Sequence, residues 1–207
     1  MTAPQRLTDR KRLAILQAAA EQFRSFGFEA TSMDKIAATA GVSKRTVYNH
    51  FPSKEDLFAE TLIQLFHSSA SAVDIAYRSD APLRSQLEVL LRHKVATMAE
   101  PDFLALAKVA IAEAIHSPER AQPIVARIGE REEGVTRWIR AAQADGRLKE
   151  GDPLFAATML HGQVKAVSFW PQVTMGAPPL DAAAQARLVD AVVTMFLAYF
   201  ASSNDTA

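Results

Sequence analysis

Residues 31–58, TSMDKIAATAGVSKRTVYNHFPSKEDLF, limit the possible fold more than any other stretch of this chain. They hold two short helical patterns hinged at Ala40-Gly41-Val42. Ala37, Gly41 and Val47 stand four and then six residues apart, the spacing of a helix-turn-helix. A small residue is needed where the two helices cross closely. Glycine is favoured where the turn passes through positive φ, and a β-branched residue from the second helix plugs the contact. The second pattern, Lys44 to about His50, turns only Val47 and the following Phe51 inward. Phe51 precedes Pro52, which disfavours helical backbone at Phe51 and closes the helix.

The rest of the chain reads as helix almost throughout, with no sustained alternation of β-branched residues that would make a sheet. A first helix is expected from about Asp9 to Phe26, with Leu13, Leu16, Ala20 and Phe23 as its buried stripe and Gly27 as its end. A second starts after a Thr31/Ser32 cap and turns Met33, Ile36, Ala37 and Ala40 inward. A fourth begins at Ser53, with Glu55 and Asp56 in its first turn, and runs well past Phe66. Beyond residue 80, helices are expected near 82–99, 101–116, 119–144, 153–170 and 181–201, with Pro82, Pro101, Pro118 and Pro153 in first turns and a loop from Trp170 to Pro179. The fold expected is all-α: a three-helix head over 1–52, its first eight residues a disordered arm, joined by a long helix to a helical body over 53–207.

Composition removes several classes of function. The chain has no cysteine, so disulfide frameworks, thiolate metal sites and cysteine nucleophiles are excluded together. The histidines (50, 67, 93, 116 and 161) are never three or four apart, so no metal pair is expected on a helix. No glycine-rich phosphate loop or nucleophile-elbow motif occurs, and neither an enzyme nor a cofactor is expected. The basic start has no apolar core of a secretory signal, and the uncharged run after Asp190 is too short for a span of ~20 residues. A cytoplasmic protein that does not enter membranes is expected.

The net charge is zero, but it is unevenly placed. Residues 1–55 carry nine Lys/Arg against five Asp/Glu, and the remainder carries fourteen against eighteen. A basic head on an acidic body points to a polyanionic partner for the head. With Val47 and Phe51 inward, Lys44, Arg45, Thr46 and Tyr48 project into solvent at and just beyond the start of the third helix. In a helix-turn-helix that end reaches base edges in the major groove. Arg and Lys suit guanine O6/N7, and Thr suits the thymine methyl. Lys54 opposes the dipole of the helix it begins, a conflict that a docked phosphate would resolve; the same logic extends to Arg10, Lys11 and Arg12.

Residues 10 to about 58 resemble the DNA-binding head of the TetR family of transcriptional regulators. The likeness lies in the Gly27-Phe28 bend, the Ile36-Ala37 pair, Gly41-Val42-Ser43 and the Tyr48-x-x-Phe51-x-x-Lys54 run. Phe103 to Gln122 is similar to the C-terminal module of AcrR- and AefR-like members. The resemblance implies phosphate contacts from Thr31, Tyr48, His50 and Lys54, and base contacts from Lys44, Arg45, Thr46 and Asn49, with Ser43 also at the interface. It further implies a homodimer on a palindromic operator, a small-molecule effector bound by the body, and repression. Asn49 departs from the aromatic residue or histidine often found at its place.

In the body, the last helix carries an apolar stripe too wide for one core face, from Leu188 to Phe200. Paired with 153–170 it would form a four-helix bundle with a twin copy, using Phe155, Met159, Leu188, Val192, Phe196 and Tyr199. Candidate effector contacts are Phe66, Phe103, Leu106, His116, Trp138, Met159, His161 and Trp170, though aromatic and Met residues at helical spacing more often simply fill a core. The few charges in these segments favour an apolar or aromatic effector. The competing reading is a helical adaptor that does not bind DNA.

Overall fold

A computed structural model describes residues 3–71, 76–129 and 134–202, with side chains described over 7–65, 76–124, 126 and 134–202. Among these residues the chain is all-α, without a strand; one isolated bridge joins Leu148 to Ala201. It divides into two compact units, one of residues 1–67 with 105–130 and the other of 68–104 with 131–207. The expected border at 52/53 falls inside the first unit.

The first unit opens with α1 (Ala3–Ala30), which is broken at Gly27, where φ is 76°. The helix starts at Ala3 rather than near Asp9, so residues 3–8 form no irregular arm; Pro4 lies in the first turn, where no amide hydrogen is needed. The buried stripe of α1 also differs from expectation. Ile15, Leu16, Ala19 and Phe23 face the core, whereas Leu13 is 45% exposed. Four consecutive aliphatic positions, Leu13 to Leu16, leave the phase of the stripe ambiguous, and only the neighbours across from it decide. α2 (Met33–Thr39), α3 (Lys44–His50) and the start of α4 (Lys54–Ser71) close a core around Phe23, Phe28, Ile36, Val47, Phe51, Leu57 and Phe58. The rings of Phe23, Phe28 and Phe58 meet at centroid distances of 4.8 to 5.9 Å.

The later part of α6 (Pro101–His116) and α7 (Pro118–Gly129) belong to this unit as well, with Leu106 and Ile124 in the same core.

The second unit holds α5 (Leu83–Ala99), α8 (Gly134–Ala144), α9 (Pro153–Ser168), α10 (Trp170–Thr174) and α11 (Ala182–Phe200). α11 packs on α5 and α9 through Val189, Val192, Val193 and Phe196, and α8 packs on α9. By length and composition α11 would pass for a membrane span, but that buried stripe makes it a core element of the unit. The expected helix over 119–144 is described as two, α7 and α8, and the expected loop after Trp170 starts with the short α10, whose first turn takes Pro171.

Candidate nucleic-acid interface

The two short helices of the head are fixed by their caps. Ser32 Oγ accepts from the Lys35 amide at 3.3 Å, and Ser43 Oγ accepts from the Thr46 amide at 3.1 Å. Between them Gly41 takes φ 64°, and the Val42 amide donates to Ala37 O at 3.0 Å. Val47 and Phe51 are buried behind α3. Ser53 Oγ accepts from the Asp56 amide at 3.0 Å and starts α4 one residue later.

The opposite face of α3 is open. Ser43, Lys44, Arg45, Tyr48 and Asn49 are exposed, Tyr48 at 43%, and Thr46 and His50 are half-buried. Thr46 Oγ1 lies 2.8 Å from Ser43 Oγ, so both hydroxyls also serve the cap. The Lys44 ammonium is 2.8 Å from Asp34 Oδ1 and 3.1 Å from Oδ2. The hydrogen bond to Asp34 and its negative charge hold the Lys44 pKa above its usual value. α3 has no acid in its own first turn, so Asp34 of α2 supplies the negative charge there. Arg45 makes no ion pair among the described residues.

Three expected phosphate ligands have other partners. Thr31 is 2% exposed, and its hydroxyl donates to Gly27 O at 2.7 Å and Gln22 O at 3.1 Å, so its side chain seals the junction of α1 and α2 instead of facing outward. Lys54 Nζ donates to Phe28 O at 2.9 Å and Glu29 O at 3.4 Å and sits 4.2 Å from the centre of the Phe28 ring. The dipole conflict is thus met by two carbonyls and a ring face. Arg12 pairs with Glu60 at 2.8 Å and lies over the Phe51 ring, tying α1 to α4 behind α3.

Sequence reasoning missed the far side of the Phe28-Glu29 turn. Arg120 of α7 bonds Glu29 Oε1 at 2.8 Å, reaches the buried Glu113 of α6 at 2.9 Å, and lies 5.3 Å from the Phe28 ring centre. Hydrogen bonding to Glu29 raises its pKa. One turn is therefore held by a cation from α4 and a cation from α7. Nothing local in the sequence marks this, because Arg120 is 91 positions from Glu29.

The body candidates differ in their surroundings. Phe103 and Leu106 are core residues, Trp138 is buried with its Nε1 donating to Gln86 Oε1 at 3.1 Å, and His161 is buried in α9. His116, Met159 and Trp170 are exposed; the side chain of Phe66 lies outside the described residues. Phe103, Phe169 and Trp170 form an edge-to-face chain with centroids 6.3 and 5.2 Å apart.

Of the residues expected on a dimer face, some are exposed and some are buried. Phe155 (57% exposed) and Met159 on α9 and Tyr199 on α11 point outward, and Leu188 is half-buried. Val192 and Phe196 are buried at 1% and 3% against the chain's own α5 and α9, which excludes them from a surface contact. The outward side of α11 carries Ala191, Met195 and Ala198 instead.

Residues 15–61 match the family model for bacterial regulatory proteins of the tetR family, and residues 85–202 match that of the AefR-like transcriptional repressor C-terminal domain. An uncharacterized HTH-type transcriptional regulator of Bacillus subtilis, YhgD, is 30% identical over 198 residues, covering 89% of this chain and 95% of that one. The crystal structure of a TetR family transcriptional regulator from Pseudomonas syringae is 50% identical, covers 92% of this chain and 96% of its own, and superposes with a TM-score of 0.76. The flavonoid-responsive regulator FrrA is 27% identical over 94% of this chain and 98% of its own, with a TM-score of 0.73.

Proposed function

This chain belongs to the TetR family of transcriptional regulators, and we propose that it is a homodimeric repressor released from a palindromic operator by a small, largely apolar or aromatic effector. The observation that carries the reading is the outward face of α3, where Lys44, Arg45 and Asn49 stand exposed on a helix braced from behind by Val47 and Phe51. In this reading Lys44, Arg45, Thr46 and Asn49 meet base edges, while Ser43, Tyr48 and His50 meet phosphates. Lys54 keeps one N–H for a phosphate beyond the two carbonyls it already serves. The work is that of a cytoplasmic regulator rather than an enzyme.

Two copies pair through α9 and α11, with Phe155, Met159, Met195 and Tyr199 on the contact. Pairing covers apolar side chains that each copy leaves in water, and it gives two reading helices for two half-sites about one DNA turn apart, roughly 34–36 Å. The aromatic chain of Phe103, Phe169 and Trp170 and the flavonoid response of the solved relative FrrA support an aromatic effector. Such an effector weakens operator binding only by the difference in its affinity for the two states of the protein.

A gel shift on the DNA upstream of its own coding region, at two salt concentrations, tests the reading. Steep salt-dependent binding is expected of a regulator. Absence of binding at both salts would leave a helical adaptor.

A further inference from the structure

Asp34 stands on the same surface as the side chains assigned to base reading. It is exposed in the first turn of α2, and both of its oxygens lie within 3.1 Å of Lys44 Nζ. The neighbouring Arg45 makes no ion pair among the described residues. The two cations at the front of α3 are therefore unequal: one presents its full charge, the other a hydrogen-bond donor whose charge a carboxylate already balances.

That difference matters for what each can recognise. Attraction of a bare cation to the phosphate backbone is indifferent to sequence and supplies essentially all non-specific binding. A neutralised pair gains little from the backbone, and its carboxylate is repelled by it within a screening length of about 8 Å. The ammonium has three N–H groups; contact with Asp34 biases where it sits, and the N–H groups not spent on Asp34 can still donate. Such a group selects an acceptor by where the acceptor lies rather than by its charge. We propose that Asp34 is a specificity-determining residue, which withholds Lys44 from phosphates and fixes it as a directional donor to a base edge. The proposal rests on α3 reading DNA.

The test uses the full-length protein, the duplex it enriches from a randomised pool, and a scrambled duplex of equal length, each titrated over a range of salt. D34N is expected to bind the scrambled duplex several-fold more tightly, with a salt slope steeper by up to about 0.9 per freed charge, while affinity for the enriched duplex rises less, so that discrimination falls. K44Q leaves Asp34 unbalanced, so it is expected to weaken the scrambled duplex modestly and the enriched duplex several-fold more, because only there is a base-edge donor lost as well; adding D34N to K44Q is expected to relieve that repulsion equally on both duplexes and leave discrimination unchanged. Equal gains on both duplexes for D34N, equal losses on both for K44Q, or a change of discrimination when D34N is added to K44Q would each overturn the proposal. A wild-type protein that enriches no sequence would overturn the DNA-reading function itself, and the inference with it. Thermal unfolding of each variant separates these outcomes from loss of fold.

Discussion

Lys54 and Arg45 are both cations on the head, and only the packing around them separates their roles. The exposure of Arg45 was legible from sequence because Val47 and Phe51 define the inward side of a helix too short to hide anything else. Lys54 was read as a phosphate ligand because it opposes the dipole of α4, yet its ammonium bonds the carbonyls of Phe28 and Glu29, more than twenty positions away in the chain. Sequence shows that such a charge needs a partner but not which partner it finds. Lys54→Ala should therefore lower the stability of the protein in urea by about 1 kcal/mol, the scale of a partly exposed charge-assisted bond, even without DNA. An unchanged urea midpoint would return Lys54 to a purely DNA-facing role. Arg45→Ala should leave stability unchanged, relax preference at one operator position and cost ~1–3 kcal/mol there. Equal loss on operator and scrambled DNA would refute a base contact.

At the scale of elements, most helix starts were legible, that of α1 excepted, because the Ser32 cap and the first-turn prolines act through their own backbone neighbours. The rotational setting of a helix was less so. The last helix is apolar on two sides, and periodicity alone does not say which side meets its own unit; Val192 and Phe196 went inside and Met195 stayed out. The candidate site divides in the same way: the α3 front was readable from local pattern, while Asp34 across from Lys44 and Arg120 across from Glu29 needed the folded chain. The α2–α3 turn gives a clean test of local geometry. At Gly41 a Cβ would meet nothing within 4 Å, so Gly41→Ala is opposed only by its φ of 64°. It should destabilise the head by roughly 1–2 kcal/mol. It should also weaken binding to every sequence in gel shifts, because it moves α3 as a body. A shift confined to one operator position would contradict this.

At the scale of the molecule, one copy presents one seven-residue helix for the proposed base reading, which spans too few base pairs to specify a site alone. In the proposed dimer, the outward apolar side chains of α9 and α11 would double it. Replacing Met195, 52% exposed, with Glu places a charge on each side of a twofold contact and should convert a dimer to a monomer by analytical ultracentrifugation. Since Met195 is outside the core of its own unit, the monomer should remain folded; a variant that stays dimeric would place the interface elsewhere.

The measurement that bears most directly on the whole account is selection of bound duplexes from a randomised pool by the wild-type protein. The account predicts an inverted repeat with half-site centres one helical turn, about 10–10.5 base pairs, or a whole multiple of turns apart. Enrichment of a single unrepeated element, or of no sequence at all, would contradict it.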